Sequence, residues 1–174
     1  MMAEGELTVL FDEDAIRSRV HEIGRRITED FTEGNIACVG VLPNSLVFMA
    51  DLIRNIRRSL TCDFLKVDTQ SPRRVDIAFG SASDFGGRDV LLIQGVVDTG
   101  VTLSFIKGQI EEAWRPRTLR VAALINRENH RKVESPVDYV CFELTEEGFA
   151  AGYGLGFNEH YRGTPFLGMM RQSR

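Results

Sequence analysis

The segment Val90-Leu91-Leu92-Ile93-Gln94-Gly95-Val96-Val97-Asp98-Thr99-Gly100-Val101-Thr102-Leu103 decides the fold. It opens on an uninterrupted apolar run, the pattern of a strand buried on both faces. Asp98-Thr99-Gly100 then breaks the run, and Leu103, Ile106, Ile110 and Ala113 follow at helical spacing. The same order of strand, turn and helix stands upstream, where Ile36 to Leu42 is apolar, Pro43-Asn44 turns the chain, and Leu46, Met49, Leu52, Ile53 and Ile56 fall on one helical face. Two more apolar runs, Leu119 to Ile125 and Tyr139 to Phe142, read as further buried strands. Near the N-terminus, Asp12 stands as a capping residue before Ile16, Val20, Ile23 and Ile27, with Arg17, Arg19, Glu22 and Arg26 between them, which predicts an amphipathic surface helix.

Strands alternating with helices predict an α/β fold with a parallel sheet and crossover helices. The chain carries no internal repeat, low-complexity segment or shift in composition, so residues 1–174 are expected to form a single domain. Glycines crowd at Gly148, Gly152, Gly154 and Gly156 among Phe149, Tyr153 and Phe157, which predicts an irregular flap.

The 174 residues are 43% hydrophobic and 26% charged, a balance that excludes a disordered or fibrous chain. Lys plus Arg number 21 against 25 Asp plus Glu, and this net charge of -4 argues against a nucleic acid partner. Cys38, Cys62 and Cys141 are odd in number and widely spaced, and are expected as buried free thiols of a reducing, cytoplasmic setting without a zinc site. The acidic start, Met1-Met2-Ala3-Glu4-Gly5-Glu6, predicts no export signal. The uncharged stretch Gly34 to Ala50 is broken by Pro43-Asn44-Ser45, so no membrane span is expected.

In an open parallel sheet, ligands bind beyond the carboxyl ends of the strands, where a loop leads into a helix. At Asp98-Thr99-Gly100-Val101-Thr102, hydroxyls and open amides meet a helix N-terminus and Gly100 permits an unusual turn, an arrangement suited to a phosphate. A plain capped turn would also use Asp-Thr-Gly, and spacing alone does not separate the two.

The segment Val96 to Leu103 resembles the second half of the phosphoribosyl-diphosphate motif of type I phosphoribosyltransferases. Val39-Gly40-Val41-Leu42, Ser45, Phe48 to Leu52, Cys62-Asp63-Phe64, Gly87 to Leu91, Pro136 to Val140, Phe142-Glu143, Gly152 to Leu155 and Tyr161-Arg162 resemble hypoxanthine-guanine phosphoribosyltransferases, in that family's order from Leu10 to Gly168. The resemblance implies a parallel five-stranded sheet with a small C-terminal hood, homodimers or homotetramers, and a magnesium-assisted transfer of ribosyl 5-phosphate from phosphoribosyl diphosphate to a purine. It puts Asp98 at the general base position near the purine N7, with Asp98, Thr99, Gly100, Val101 and Thr102 around the 5-phosphate. It also puts Arg127, Phe149 and Ala150 on the purine of GMP or IMP, and Asn44, Ser45 and Arg162 on pyrophosphate. Each has a bland alternative: a helix cap for Asp98, a solvated charge for Arg127, a core ring for Phe149.

The departures fall on the chemistry. Where the family carries a Glu-Asp pair for the ribose hydroxyls, this chain has Gln94-Gly95. Where the family pattern Gly-Leu-Asp-Tyr supplies a metal-binding aspartate, it reads Gly154-Leu155-Gly156-Phe157. Pro43-Asn44 replaces a basic residue and a glycine before Ser45, and Lys66 to Pro72 lacks the Ser-Tyr pair of the family's closing loop. No metal-ligating side chain is therefore assigned in this chain, and magnesium is expected by the family resemblance alone. Purine nucleotide binding with weak or lost transfer is the expectation, and a catalytically inactive nucleotide sensor or partner protein is the alternative.

Overall fold

The computed structural model describes residues 7–71, 74–79, 84–157 and 160–170. Elements follow in the order β1 (Leu7–Phe11), α1 (Glu13–Asp30), β2 (Ile36–Leu42), α2 (Leu46–Arg54), β3 (Leu60–Ser71), β4 (Arg74–Phe79), β5 (Asp89–Val97), α3 (Val101–Trp114), β6 (Thr118–Asn126), β7 (Tyr139–Glu143), β8 (Phe149–Ala151) and β9 (Leu167–Met170). One sheet has the order β4-β3-β2-β5-β6-β7. Its five strands from β3 to β7 pair in parallel, and β4 joins β3 antiparallel at the edge.

The apolar runs become the central strands because both faces of this sheet are covered. Leu91 and Ile93 of β5 pack with Ile16, Ile23, Phe48 and Leu52 on the α1 and α2 side, whereas Val90 and Leu92 pack with Leu103, Ile106 and Ile110 on the α3 side. Alternation along one strand thus feeds two cores. Helix α1 buries Ile16, Val20, Ile23 and Ile27 as its spacing predicts, and Asp12 caps it by accepting from the amide of Ala15 at 2.8 Å.

Two expectations are corrected. Cys38 and Cys141 are buried, with burial pushing both thiols up to about 12, but Cys62 is exposed. Strand β4 pairs with β3 only from Leu65 onward, so among the described residues no strand pairs with β3 on its outer side at Cys62. The glycine-rich C-terminal segment is not wholly irregular: β8 and β9 form a three-stranded antiparallel sheet with β1, in the order β1-β9-β8. Gly148, Gly152 and Gly154 all have positive φ, and the turns they permit bring Phe149–Ala151 alongside Leu167–Met170.

The stretch after Phe64 continues β3 as far as Ser71 and pairs with β4, while Pro72 lies outside the described residues. Among the described residues, no helix is long and apolar enough to cross a membrane.

Candidate functional site

Strand β5 ends at Val97, and the turn that follows sits at the carboxyl end of the central strand of the sheet. Gly100 adopts φ 81°, in the left-handed region, as the N-cap of α3. An added Cβ there would come under 3.0 Å from the carbonyl oxygen of Val133, so glycine is required twice over. No side chain caps α3, in contrast to α1, so its first amide groups are left open at a dipole end that favours an anion. Val101 and Thr102 are exposed and Thr99 is half-buried. The loop is held from behind: the Thr99 carbonyl accepts from the amides of Lys132 at 2.9 Å and Val133 at 3.2 Å, and the Asp98 carbonyl accepts from Arg131 Nη1 at 2.5 Å.

Asp98 itself is half exposed, its carboxylate turned toward the Glu128–His130 turn. His130 Nδ1 lies 2.8 Å from Asp98 Oδ1, and Arg127 Nε lies 4.0 Å from the same oxygen. Arg127 is buried rather than solvated, and its fork is largely spent on backbone: Nη1 donates to the Gly148 carbonyl at 2.8 Å and Nη2 to the Glu146 carbonyl at 2.5 Å. Its Nε has no hydrogen-bond partner among the described residues. Arg127 therefore fixes the turn that carries Phe149. The ring of Phe149 is exposed and lies 5.5 Å from that of Phe157, while Ala150 is half-buried in β8. This leaves an exposed aromatic ring next to the Gly148 carbonyl that Arg127 holds, as a stacked base would need.

The residues expected on pyrophosphate form a different kind of structure. Ser45 is wholly buried and its Oγ has no hydrogen-bond partner among the described residues. Asn44 instead packs on β5: a Cβ built on Gly95 would lie under 3.0 Å from the O, C and Cβ atoms of Asn44. Arg162 Nη1 donates to Asn44 Oδ1 at 2.7 Å and to the Gly154 carbonyl at 2.8 Å. A Cβ on Gly156 would lie 2.7 Å from Arg162 Cζ. Gly95, Asn44, Arg162 and Gly156 thus interlock, and three of the departures from the family pattern are one packing solution. Gln94 is buried on the other face of β5, and its Nε2 has no hydrogen-bond partner among the described residues.

The sequence pattern missed His130, which lies outside any quoted motif, and missed the physical link among the departures. Arg162 also lines a cavity of about 470 Å³ with Asp51, Arg54 and Tyr153, but neither Asp98 nor Phe149 borders it, so cavity volume does not mark this site. There the Tyr153 hydroxyl donates to Asp51 at 2.5 Å, and burial raises its pKa.

Comparison with known proteins matches the phosphoribosyl transferase domain to residues 8–158. A hypoxanthine-guanine phosphoribosyltransferase of Dictyostelium discoideum is 35% identical, over 94% of this chain and 95% of its own. The chain belongs to the hypoxanthine-guanine phosphoribosyltransferase family. The Staphylococcus epidermidis enzyme of that name is 34% identical over 94% of this chain and 93% of its own. A crystal structure of the Bacillus anthracis enzyme superposes with a TM-score of 0.89 at 29% identity, covering 94% of this chain and 99% of that one.

Members of this family generally use magnesium. Two positions where the family pattern offers a carboxylate carry glycine here: a Cβ at position 95 would meet the backbone and Cβ of Asn44 at under 3.0 Å, and one at position 156 would meet the guanidinium end of Arg162.

Proposed function

We propose that this phosphoribosyltransferase-family chain, acting as one domain over residues 1–174, binds a 6-oxopurine mononucleotide such as IMP or GMP. On this reading the α3 N-terminus and Thr99 to Thr102 take the 5-phosphate, Phe149 stacks on the base, and Asp98 faces its N7. The observation that carries the reading is the contrast between an open, glycine-shaped phosphate loop and a metal-side patch packed shut by Asn44 and Arg162.

Phosphoribosyl transfer follows as a slow activity. Hydrogen bonds to charged groups contribute about 1.5–3 kcal/mol each, so two missing carboxylates on the ribose cost about 3–6 kcal/mol in the transition state, or about two to four decades in rate. Asp98 would accept the purine proton as the base nitrogen attacks the ribosyl carbon and pyrophosphate leaves. The same interlock favours a second reading, a nucleotide receptor in which transfer has stopped altogether.

Pyrophosphate release from phosphoribosyl diphosphate with hypoxanthine or guanine separates the two. Release about two to four decades below that of the Dictyostelium relative, lost in Asp98→Ala, supports the slow enzyme. Zero release with IMP still bound supports the receptor, and failure to bind any purine monophosphate overturns both.

A further inference from the structure

His130 belongs to none of the motifs that placed this chain in its family, yet it touches the residue at the centre of the proposed chemistry. We infer that His130 is a positioning residue for Asp98, aiming its carboxylate at the purine N7 and tying that carboxylate to the turn that carries Phe149. The inference rests on the mononucleotide reading above.

Both ring nitrogens are engaged. Nδ1 lies 2.8 Å from Asp98 Oδ1, and Nε2 lies 3.3 Å from Arg127 Nη2, with Glu147 Oε1 at 3.5 Å. A guanidinium has donors only, so Nε2 is the acceptor of that contact and Nδ1 carries the hydrogen donated to Asp98. The ring therefore has a single orientation, fixed at one end by the arginine and at the other by the carboxylate. Arg127 in turn holds the carbonyls of Glu146 and Gly148, immediately before Phe149. One connected set of hydrogen bonds runs from the N7 side of the base to its stacking face. With Oδ1 occupied by His130, Oδ2 is the oxygen left for the ligand.

The consequence concerns which nitrogen chemistry the site prefers. An aimed carboxylate accepts from N7–H and repels an N7 lone pair. Inosine 5′-monophosphate has the lone pair, and its 9-deaza analogue, with a carbon link to the ribose, has N7–H on an otherwise matching shape. The parent chain should bind the 9-deaza compound at least about tenfold more tightly, the contribution of one hydrogen bond to a charged acceptor. Substitutions divide the imidazole: His130→Asn keeps a donor where Nδ1 stands, and His130→Gln keeps an acceptor where Nε2 stands.

Calorimetric titration of both compounds into the parent chain and the two variants tests this, with His130→Ala as the deletion. The expected result is a preference of about tenfold or more in the parent and in His130→Asn, falling to less than about threefold in His130→Ala and His130→Gln. A merely structural histidine would weaken both compounds together and leave their ratio unchanged. An unchanged ratio in His130→Ala, or rescue by Gln rather than Asn, overturns the inference. Equal binding of the two compounds by the parent would instead remove Asp98 from N7. Binding of neither would remove the mononucleotide reading itself.

Discussion

The loops that follow β5 and β2 are built in opposite ways. At the start of α3 the backbone is held open: Gly100 is left-handed, no side chain caps the helix, and hydrogen bonds from Lys132, Val133 and Arg131 fix the loop from outside. At the start of α2 the space is filled by the chain itself, with Asn44 on Gly95 and Arg162 on Gly156. An open backbone site can bind a phosphate without further help, because its donors are amides that the helix already orients. A side chain added at the closed end must displace Asn44 or the guanidinium of Arg162. Under the proposed reading, the phosphate loop persists while the carboxylate positions carry glycine, and the fold is unchanged.

The strongest way to break this comparison is to close the open end. Gly100→Val places a branched side chain against the Val133 carbonyl at a φ that disfavours it. Monophosphate binding should fall by more than about a hundredfold in titration, as the loop and helix start are displaced together. Retained binding would show that the phosphate lies elsewhere.

The converse is to reopen the closed end. Gly95→Asp alone should lower stability by about 1–3 kcal/mol in chemical denaturation, because Asn44 occupies the space. Paired with Asn44→Gly it should cost distinctly less than the two singles summed, since the two positions share one contact. Additive losses would mean that the interlock is not energetic. In the same way, Gly156→Asp should be tolerated better in an Arg162→Ala background than alone.

A smaller effect lies at the far end of β5 and sharpens the contrast by leaving the site untouched. Asp89 is buried, accepts from Arg117 Nε at 2.9 Å and from Thr118 Oγ1 at 2.8 Å, and the Arg117 guanidinium holds its carboxyl below the usual carboxylate range. A depressed pKa gives stability that is present above the unfolded value, about 3.9, and is lost as pH falls through the folded one. Thermal melts of the parent should therefore lose stability below about pH 4 more steeply than melts of Asp89→Asn, with ligand binding unaltered at neutral pH.

Much of the fold was legible because burial writes itself into composition. Val90 to Ile93 and Leu119 to Ile125 are apolar without alternation since helices cover both faces, and Asp12 announces α1 by the bond it makes. The phosphate loop was legible for a local reason, as Gly100 and its neighbours must satisfy one turn. The strands of the small antiparallel sheet were not, because Phe149–Ala151 has three residues and pairs with a segment that follows only after several glycine turns. The interlock was invisible for a similar reason. Gly95, Gly156 and Asn44 each read as an isolated loss, and only the position of Arg162 shows that they share a cause. His130 escaped because one histidine in a short turn has no periodic partner, and what matters about it is a contact across 32 residues of chain with Asp98.

The most direct measurement is calorimetric titration of IMP, GMP and phosphoribosyl diphosphate into the chain, with magnesium and again with a chelator. Saturable binding of a purine monophosphate with the same affinity in both conditions is the predicted result. Monophosphate binding that appears only with magnesium would contradict the claim that the metal side has been replaced by the protein's own residues.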